Sequence, residues 1–362
     1  MERKVYLRIF LLSQFLISAV YGASLLYRDE YKNTLFMNLQ TGYEELLSHS
    51  EGKFKSSTEV LAFQDSYGDL IVRDYPTGRV FRVGQTHGSF DVDSHFVVFI
   101  DRYGDLYFAD ARSGWVDQIA RRVSSYSLKG SNILFRDEMG WLVIYDLKNH
   151  RRDAIDYNPL HFIMGEKAAV FQDSYRRIIG FDLKTGSKYL IDARGENLQI
   201  KGDWLAYQGS FGRFVTFNLL TKRRDESSTG VSRFILTEKM LVYRQGIAEL
   251  VVKNLESGVE KILKATHGNW HASGERVAYR NMLGVHVYHM GTDHDMVLDA
   301  YVREFKLSDN AIAYKTLTGL LEVFSFQNGF KRQVGYGVME YEIIENHFHH
   351  SRQRKFKQLF NL

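Results

Sequence analysis

Apolar and polar positions follow one another along this chain in a pattern that returns nine times. From Leu61 to Gly78, in LAFQDSYGDLIVRDYPTG, an aliphatic run ends in an aromatic and a long polar residue. An Asp-containing turn, a second apolar run and a polar turn ending in Gly come next. The aromatic recurs at Tyr27, Phe63, Phe99, Phe135, Phe171, Tyr207, Tyr243, Tyr279 and Tyr314, every 36 residues and once after 35. Two residues earlier stands an aliphatic or Ala: Leu25, Leu61, Val97, Ile133, Ala169, Leu205, Leu241, Val277, Ile312. Such runs predict strands buried on both faces, and the fixed period predicts one supersecondary unit used repeatedly.

A second strand (Leu70-Ile71-Val72, Leu250-Val251-Val252) ends at a recurring Asn or Asp: Asn38, Asp74, Asp110, Asp146, Asp182, Asn218, Asn254. Gly follows four residues later in most copies, as an Asx hairpin turn with a positive-φ position requires. The third strand mixes charged and apolar residues, as in Val259-Glu260-Lys261-Ile262-Leu263, the composition of a guarded outer edge. A short fourth strand opens at Phe54, Phe90, Tyr126, Phe162, Leu198, Phe234, Trp270, Phe305 and Tyr341. This last series starts after the first anchor and ends after the last. The N-terminal unit therefore lacks one strand, which Tyr341–Glu345 would supply, closing a ring.

Four antiparallel strands per unit with closure by both termini predict an all-β fold, a β-propeller of about nine blades. Eight remain if a terminal unit is only a partial cap. The units QDSYGDLIVRDYPTG, IDRYGDLYFADARSG and QDSYRRIIGFDLKTG resemble blades of WD-repeat-like and TolB-like propellers, over roughly Ser24 to His347. The Trp-Asp dipeptide of the WD pattern is missing. The resemblance implies a binding platform, and a turn Asp paired with a His of the loop entering the blade. His87, before Asp101, and His267, before Asn281, stand where that partner would be.

The ends differ from the body. Residues 1–22 read as a secretory signal: Arg3, Lys4 and Arg8 precede the apolar Ile9–Val20, and Val20-Tyr21-Gly22 precedes Ala23. An uncleaved anchor is the alternative. Residues 23–347 form the propeller and 348–362 a tail with Arg352, Arg354, Lys355 and Lys357 and no acid. Net charge is +4, falling to +2 without the signal, too little for a nucleic-acid binder. The absence of cysteine removes disulfides, thiolate metal sites and cysteine nucleophiles. The tail is expected to be a solvated terminus, with weak contact to an anionic membrane or polymer as the sharper reading.

Among chemistry-bearing residues, Asp29, Asp65, Asp101, Asp137 and Asp173 recur two residues after the anchor. They are expected to close turns, being too sparse in oxygen ligands for calcium. The same turns carry Tyr31, Tyr67, Tyr103, Tyr175 and Phe211, with Met139 in one copy. These rings either pack over the next blade or offer a binding face, to which His161 and Arg303 of entry loops would add polar contacts. His347, His349 and His350 lack a third ligand type at metal spacing, and His286 and His289 flank a strand. Inner-strand positions Lys55, Asp91, Ser127, Gln199, His271, Lys306 and Glu342 are chemically mixed, against a ring of tunnel ligands. No G-x-S-x-G, H-E-x-x-H or phosphate loop occurs.

The expectation is an exported, non-enzymatic, monomeric module without cofactor, periplasmic or secreted. It would bind a protein, peptide or glycan of a bacterial envelope. The alternative is a propeller hydrolase or lyase acting on an extracellular polymer.

Overall fold

The computed structural model describes residues 20–348 apart from 40, 50, 51, 87, 88, 211, 212, 230, 232 and 267. For 20–22, 228, 229 and 345–348 only the backbone is described. Among the described residues, nine four-stranded antiparallel sheets stand in a ring. Blade 2 shows the plan from the axis outward: Phe54–Ser56 (strand a), Val60–Gln64 (b), Asp69–Asp74 (c) and Val80–Gln85 (d). Blades 3 to 9 repeat it over 90–120, 126–157, 161–192, 195–229, 234–264, 271–299 and 302–335. Blade 1 takes b, c and d from Val20–Arg28, Thr34–Asn38 and Glu44–Ser48, and its strand a from Glu340–Phe348. Tyr27 lies directly opposite Tyr341 in that ladder.

The apolar residues are shared between blades. Each of the nine buried clusters spans two neighbours. Val60, Leu70 and Val72 of blade 2 pack with Phe90, Val97 and Phe99 of blade 3, and so on around the ring. Two clusters sit at the joint. Leu25, Tyr27 and Tyr341 pack against Ala311, Leu321 and Val323 of blade 9. Leu26, Phe36 and Ile344 pack against Leu61 and Phe63 of blade 2. A sheet apolar on both faces can be covered only by another sheet on each side, so every blade needs both neighbours.

Three local features could not be read from the pattern. In most blades strand d slips register by a β-bulge near the start of strand c, as between Leu70 and Ile71. The bulge twists the outer edge and spoils it as a template for pairing. The turn after strand c keeps its positive φ even where Gly is replaced, at His150, Lys222 and Asp293. In blade 2, the Gly78 N–H donates to the Asp74 carbonyl and the Asp74 N–H to the Arg79 carbonyl. Third, the long polar residue after the anchor is a tie. Arg28, Gln64, Gln172, Gln208, Arg244, Arg280 and Lys315 donate to the carbonyls of Gly52, Thr86, Gly195, Val231, Thr266, Val302 and Met339. Each thereby fastens the connection to the next blade, at its loop or, for Gly195 and Val302, at the first residue of the next strand a.

Candidate functional site

The turns between strands b and c and the loops entering each blade share one face, where they bond to each other. The Thr86 N–H donates to the Gly68 carbonyl, Val123 to Gly104 and Asn158 to Gly140. Within each turn an Asp carboxylate organises the backbone. Asp65 Oδ1 accepts the N–H groups of Tyr67 (2.8 Å) and Asp69 (2.9 Å). Asp29, Asp101, Asp137 and Asp173 do the same for Tyr31 and Asn33, Tyr103 and Asp105, Met139 and Trp141, and Tyr175 and Arg177. Asn281 and Thr316 keep one such bond each, to Leu283 and Leu320. The second oxygen of Asp137 meets Arg152 and that of Asp173 meets Arg177. His87 and His267 lie outside the described residues.

Asp65→Ala should therefore cost about 1 kcal/mol, the value of a local side-chain cap. A chemical-denaturation midpoint unchanged from wild type would refute that role.

The carboxylate holds the following side chain outward. Tyr31, Tyr67, Tyr103 and Tyr175 are 68–81% exposed, and none covers the neighbouring blade. Arg102 stacks on Tyr103 and Arg177 on Tyr175, with guanidinium carbons 4.7 and 5.2 Å from the ring centres. Phe211 lies outside the described residues. The corresponding tips elsewhere include aliphatic residues that are equally open, Met139, Ile247 and Leu283, and at the preceding turn position Met282 and Leu317 are exposed as well.

His161 and Arg303 are on this face but far apart, in blades 5 and 9. Both belong to strands, not loops. His161 begins strand a of blade 5, His161–Met164. Arg303 is the unpaired residue of a bulge in strand a of blade 9, since Val302 opposes Thr316 and Glu304 opposes Lys315. The extra bulge residue lets the strand continue while turning Arg303 outward. His161 lines an open pocket of about 570 Å³ with Phe162, Ile163, Arg176, Glu196 and Leu198.

A second group of exposed apolar side chains was reached by period counting only at Tyr31. It runs over blades 8, 9 and 1: Met282 and Leu283, then Tyr301, Leu317, Tyr336 and Met339, then Tyr31, all at least 65% exposed. Backbone contacts tie neighbouring members of this group together. The Leu317 N–H donates to the Tyr301 carbonyl (2.8 Å) and the Met339 N–H to the Arg28 carbonyl (2.7 Å). Lys315 Nζ donates to the Met339 carbonyl, closing the gap between blades 9 and 1. Tyr301, Tyr336 and Met339 sit in entry loops; Tyr301 and Tyr336 share one repeat position with Tyr157, but most other copies hold a non-aromatic residue there, so the position does not stand out as a series.

Polar residues of the innermost strands join neighbouring blades at several junctions of the ring. Lys55 pairs with Asp91, and Ser127 Oγ accepts the Met164 N–H (3.2 Å). Gln199 bonds both Phe234 and Leu236, and Lys306 Nζ donates to the Tyr341 carbonyl (2.6 Å). His271 lies edge-on to Phe305 of the following blade. Among the described residues no three of His, Asp and Glu converge as metal ligands would.

Burial, with Arg233 and Lys306 nearby, lowers the pKa of His271. His95 and His289 shift the same way, chiefly through burial. An imidazole whose folded pKa is depressed contributes stability that is complete above its unfolded value, about 6.5, and lost as pH falls below it. Glu342 acts in the opposite sense. Burial raises its pKa against Lys306 and Lys55, so its contribution is full at low pH and lost as pH rises through the carboxylate range. The thermal midpoint should fall between pH 7.5 and 5.5, and His271→Gln should flatten that slope. An unchanged slope in the variant would be the contrary result.

No family model matches the chain, and no curated protein does. Among solved structures it is similar to BamB from Moraxella catarrhalis, with 16% identity over 76% of this chain and 96% of that one (TM-score 0.44). It is also similar to apo AztD from Citrobacter koseri, with 11% identity over 90% and 98% (TM-score 0.45). The computationally designed Ika8 protein shows 12% identity over 75% and 95% (TM-score 0.46). Likeness at this level carries no functional argument.

Proposed function

We propose that this protein is a non-enzymatic scaffold, a WD-repeat-like or TolB-like propeller exported to the periplasm or exterior, that binds a protein partner on its tip face. The observation that carries this reading is the group of exposed apolar side chains from Met282 to Tyr31 on the tip face of blades 8, 9 and 1. An exposed apolar surface of this extent, rimmed by polar groups, marks an interaction site. Of the ligand classes expected from the sequence, a polypeptide suits it best. Sugars stack on tyrosine rings, but Met282, Leu283, Leu317 and Met339 offer neither a ring nor a hydrogen bond. Protein interfaces take both aromatic residues and methionine. Arg303, beside Tyr301, supplies a cation at the rim. Export is supported by the pattern of residues 1–22.

The test is affinity capture from envelope extract with three baits: wild type, Tyr301→Ser with Leu317→Ser, and Glu238→Gln on the opposite face. A polypeptide retained by the first and third baits and lost by the second is the expected result. Retention by all three would refute this group as the site.

A further inference from the structure

We propose that the pocket between blades 5 and 6 binds a neutral saccharide, at a site separate from the partner surface on blades 8, 9 and 1 and independent of it. The glutamine ties show where a ligand is wanted. In blade 2, Gln64 donates through Nε2 to the Thr86 carbonyl and accepts the Lys53 N–H at Oε1 (3.4 Å). In blade 6, Gln208 donates to the Val231 carbonyl and accepts from Asn197 Nδ2 (2.6 Å). Blade 5 keeps only half of this arrangement. Gln172 Nε2 donates to two carbonyls, Gly195 (2.8 Å) and Arg176 (3.3 Å), which fixes which end of the amide is nitrogen. Its Oε1 accepts nothing among the described residues, although Gln172 is only 6% exposed and lines the pocket. A largely buried acceptor without a donor is unfavourable, so a hydroxyl or a water must supply one.

Two charged groups line the same pocket. Arg176 and Glu196 approach to 3.7 Å, within ion-pair range but too far apart for a direct hydrogen bond. A hydroxyl between them would accept from the guanidinium and donate to the carboxylate. Blades 2, 3 and 4 have Gly68, Gly104 and Gly140 where blade 5 has Arg176, all four with positive φ (79°, 86°, 90° and 65°). That conformation disfavours any residue with a Cβ, yet here it holds a guanidinium beside the pocket. Other walls are apolar, among them the half-buried Phe162 and Leu198. A sugar ring matches this division, with hydroxyls on its rim and C–H groups on its faces. Each hydroxyl both donates and accepts, as Gln172 Oε1 and the Arg176–Glu196 gap together require. A phosphate or carboxylate would lie against Glu196, and an ammonium against Arg176. A peptide unit holds its N–H and C=O on opposite sides, so neither bridges that gap as a hydroxyl does. At about 570 Å³ the pocket lies within the ~300–1,000 Å³ of small-ligand sites.

Saturation-transfer NMR on the whole chain tests this, with glucose, N-acetylglucosamine, maltose and cellobiose as probes. Glucuronate and glucosamine serve as charged comparators, and N-acetyl-trialanine amide as the peptide comparator. At least one neutral sugar should receive saturation, and the comparators should receive less. For that sugar, Glu196→Ala should lower the affinity about 10-fold or more, since a hydrogen bond to a charged group is lost. Leu160→Trp, which fills the pocket from an exposed lining position, should abolish the transfer while the melting curve stays unchanged. Glu238→Gln, on the opposite face, should leave sugar binding as it is. No transfer to any of the four sugars, equal transfer to a charged or peptide comparator, or binding that survives both Glu196→Ala and Leu160→Trp would each overturn the proposal.

Discussion

Tyr301→Ser combined with Leu317→Ser should weaken partner capture by about 10- to 100-fold while leaving the fold unchanged. Both side chains are about two-thirds exposed, and neither belongs to a buried cluster. Surface changes of that kind move stability by only about ±0.5 kcal/mol. At an interface the same two side chains would lie near the centre of the apolar group. Truncating a central anchor typically costs about 1–2 kcal/mol or more, and each 1.4 kcal/mol is about a tenfold change in affinity. Titration by surface plasmon resonance, with thermal melting alongside, separates the two effects. If Tyr67→Ser with Tyr103→Ser abolished capture and the Tyr301 and Leu317 variant did not, the tyrosine turns of blades 2 and 3 would be the site, and a stacking ligand such as a glycan would fit them.

The other large effect concerns the joint of the ring. Ile344→Asp should destabilise the protein by at least ~3 kcal/mol, because a carboxylate would enter a space lined by Leu26, Phe36, Leu61 and Phe63 with no cation among them. Ile344→Val should cost only about 1 kcal/mol, the loss of one methylene from the same core. Leu134→Ala at the interface of blades 4 and 5 should cost about 2–5 kcal/mol. The joint is therefore expected to be as sensitive as any interface within the ring. Chemical denaturation monitored by tryptophan fluorescence measures all three. A wild-type midpoint for Ile344→Asp would mean that the last strand does not close the circle.

How much of this was legible beforehand depends on the kind of residue. Phe63, Phe99 and Phe135 announce their role because burial on both faces forces an unbroken apolar run, and the run repeats. Tyr341 could be assigned to blade 1 because its series is one step out of phase with the anchors. Gln64 could not be assigned, since its partner is the backbone carbonyl of Thr86, and a carbonyl has no side-chain signature. Lys55, Gln199 and Lys306 looked like a disordered set of tunnel residues; each reaches the blade beside it, about 36 residues further on. Arg303 was placed in a loop because a bulge adds a residue without altering composition.

The candidate site divides along the same line. A tyrosine after a turn Asp reads identically whether its ring covers the next blade or faces water, since either suits an aromatic with a polar tip. The sequence by itself determined the unit, the order of strands within each and the way head meets foot, and left the blade count between eight and nine. Local hydrogen bonding and two-sided burial impose these within a few dozen residues. Only the tertiary structure decided which apolar side chains stay uncovered and that Met282, Tyr301, Leu317 and Met339 lie on the same face. Exposure depends on what the neighbouring blade leaves open, and that neighbour is set by the closing of the whole ring.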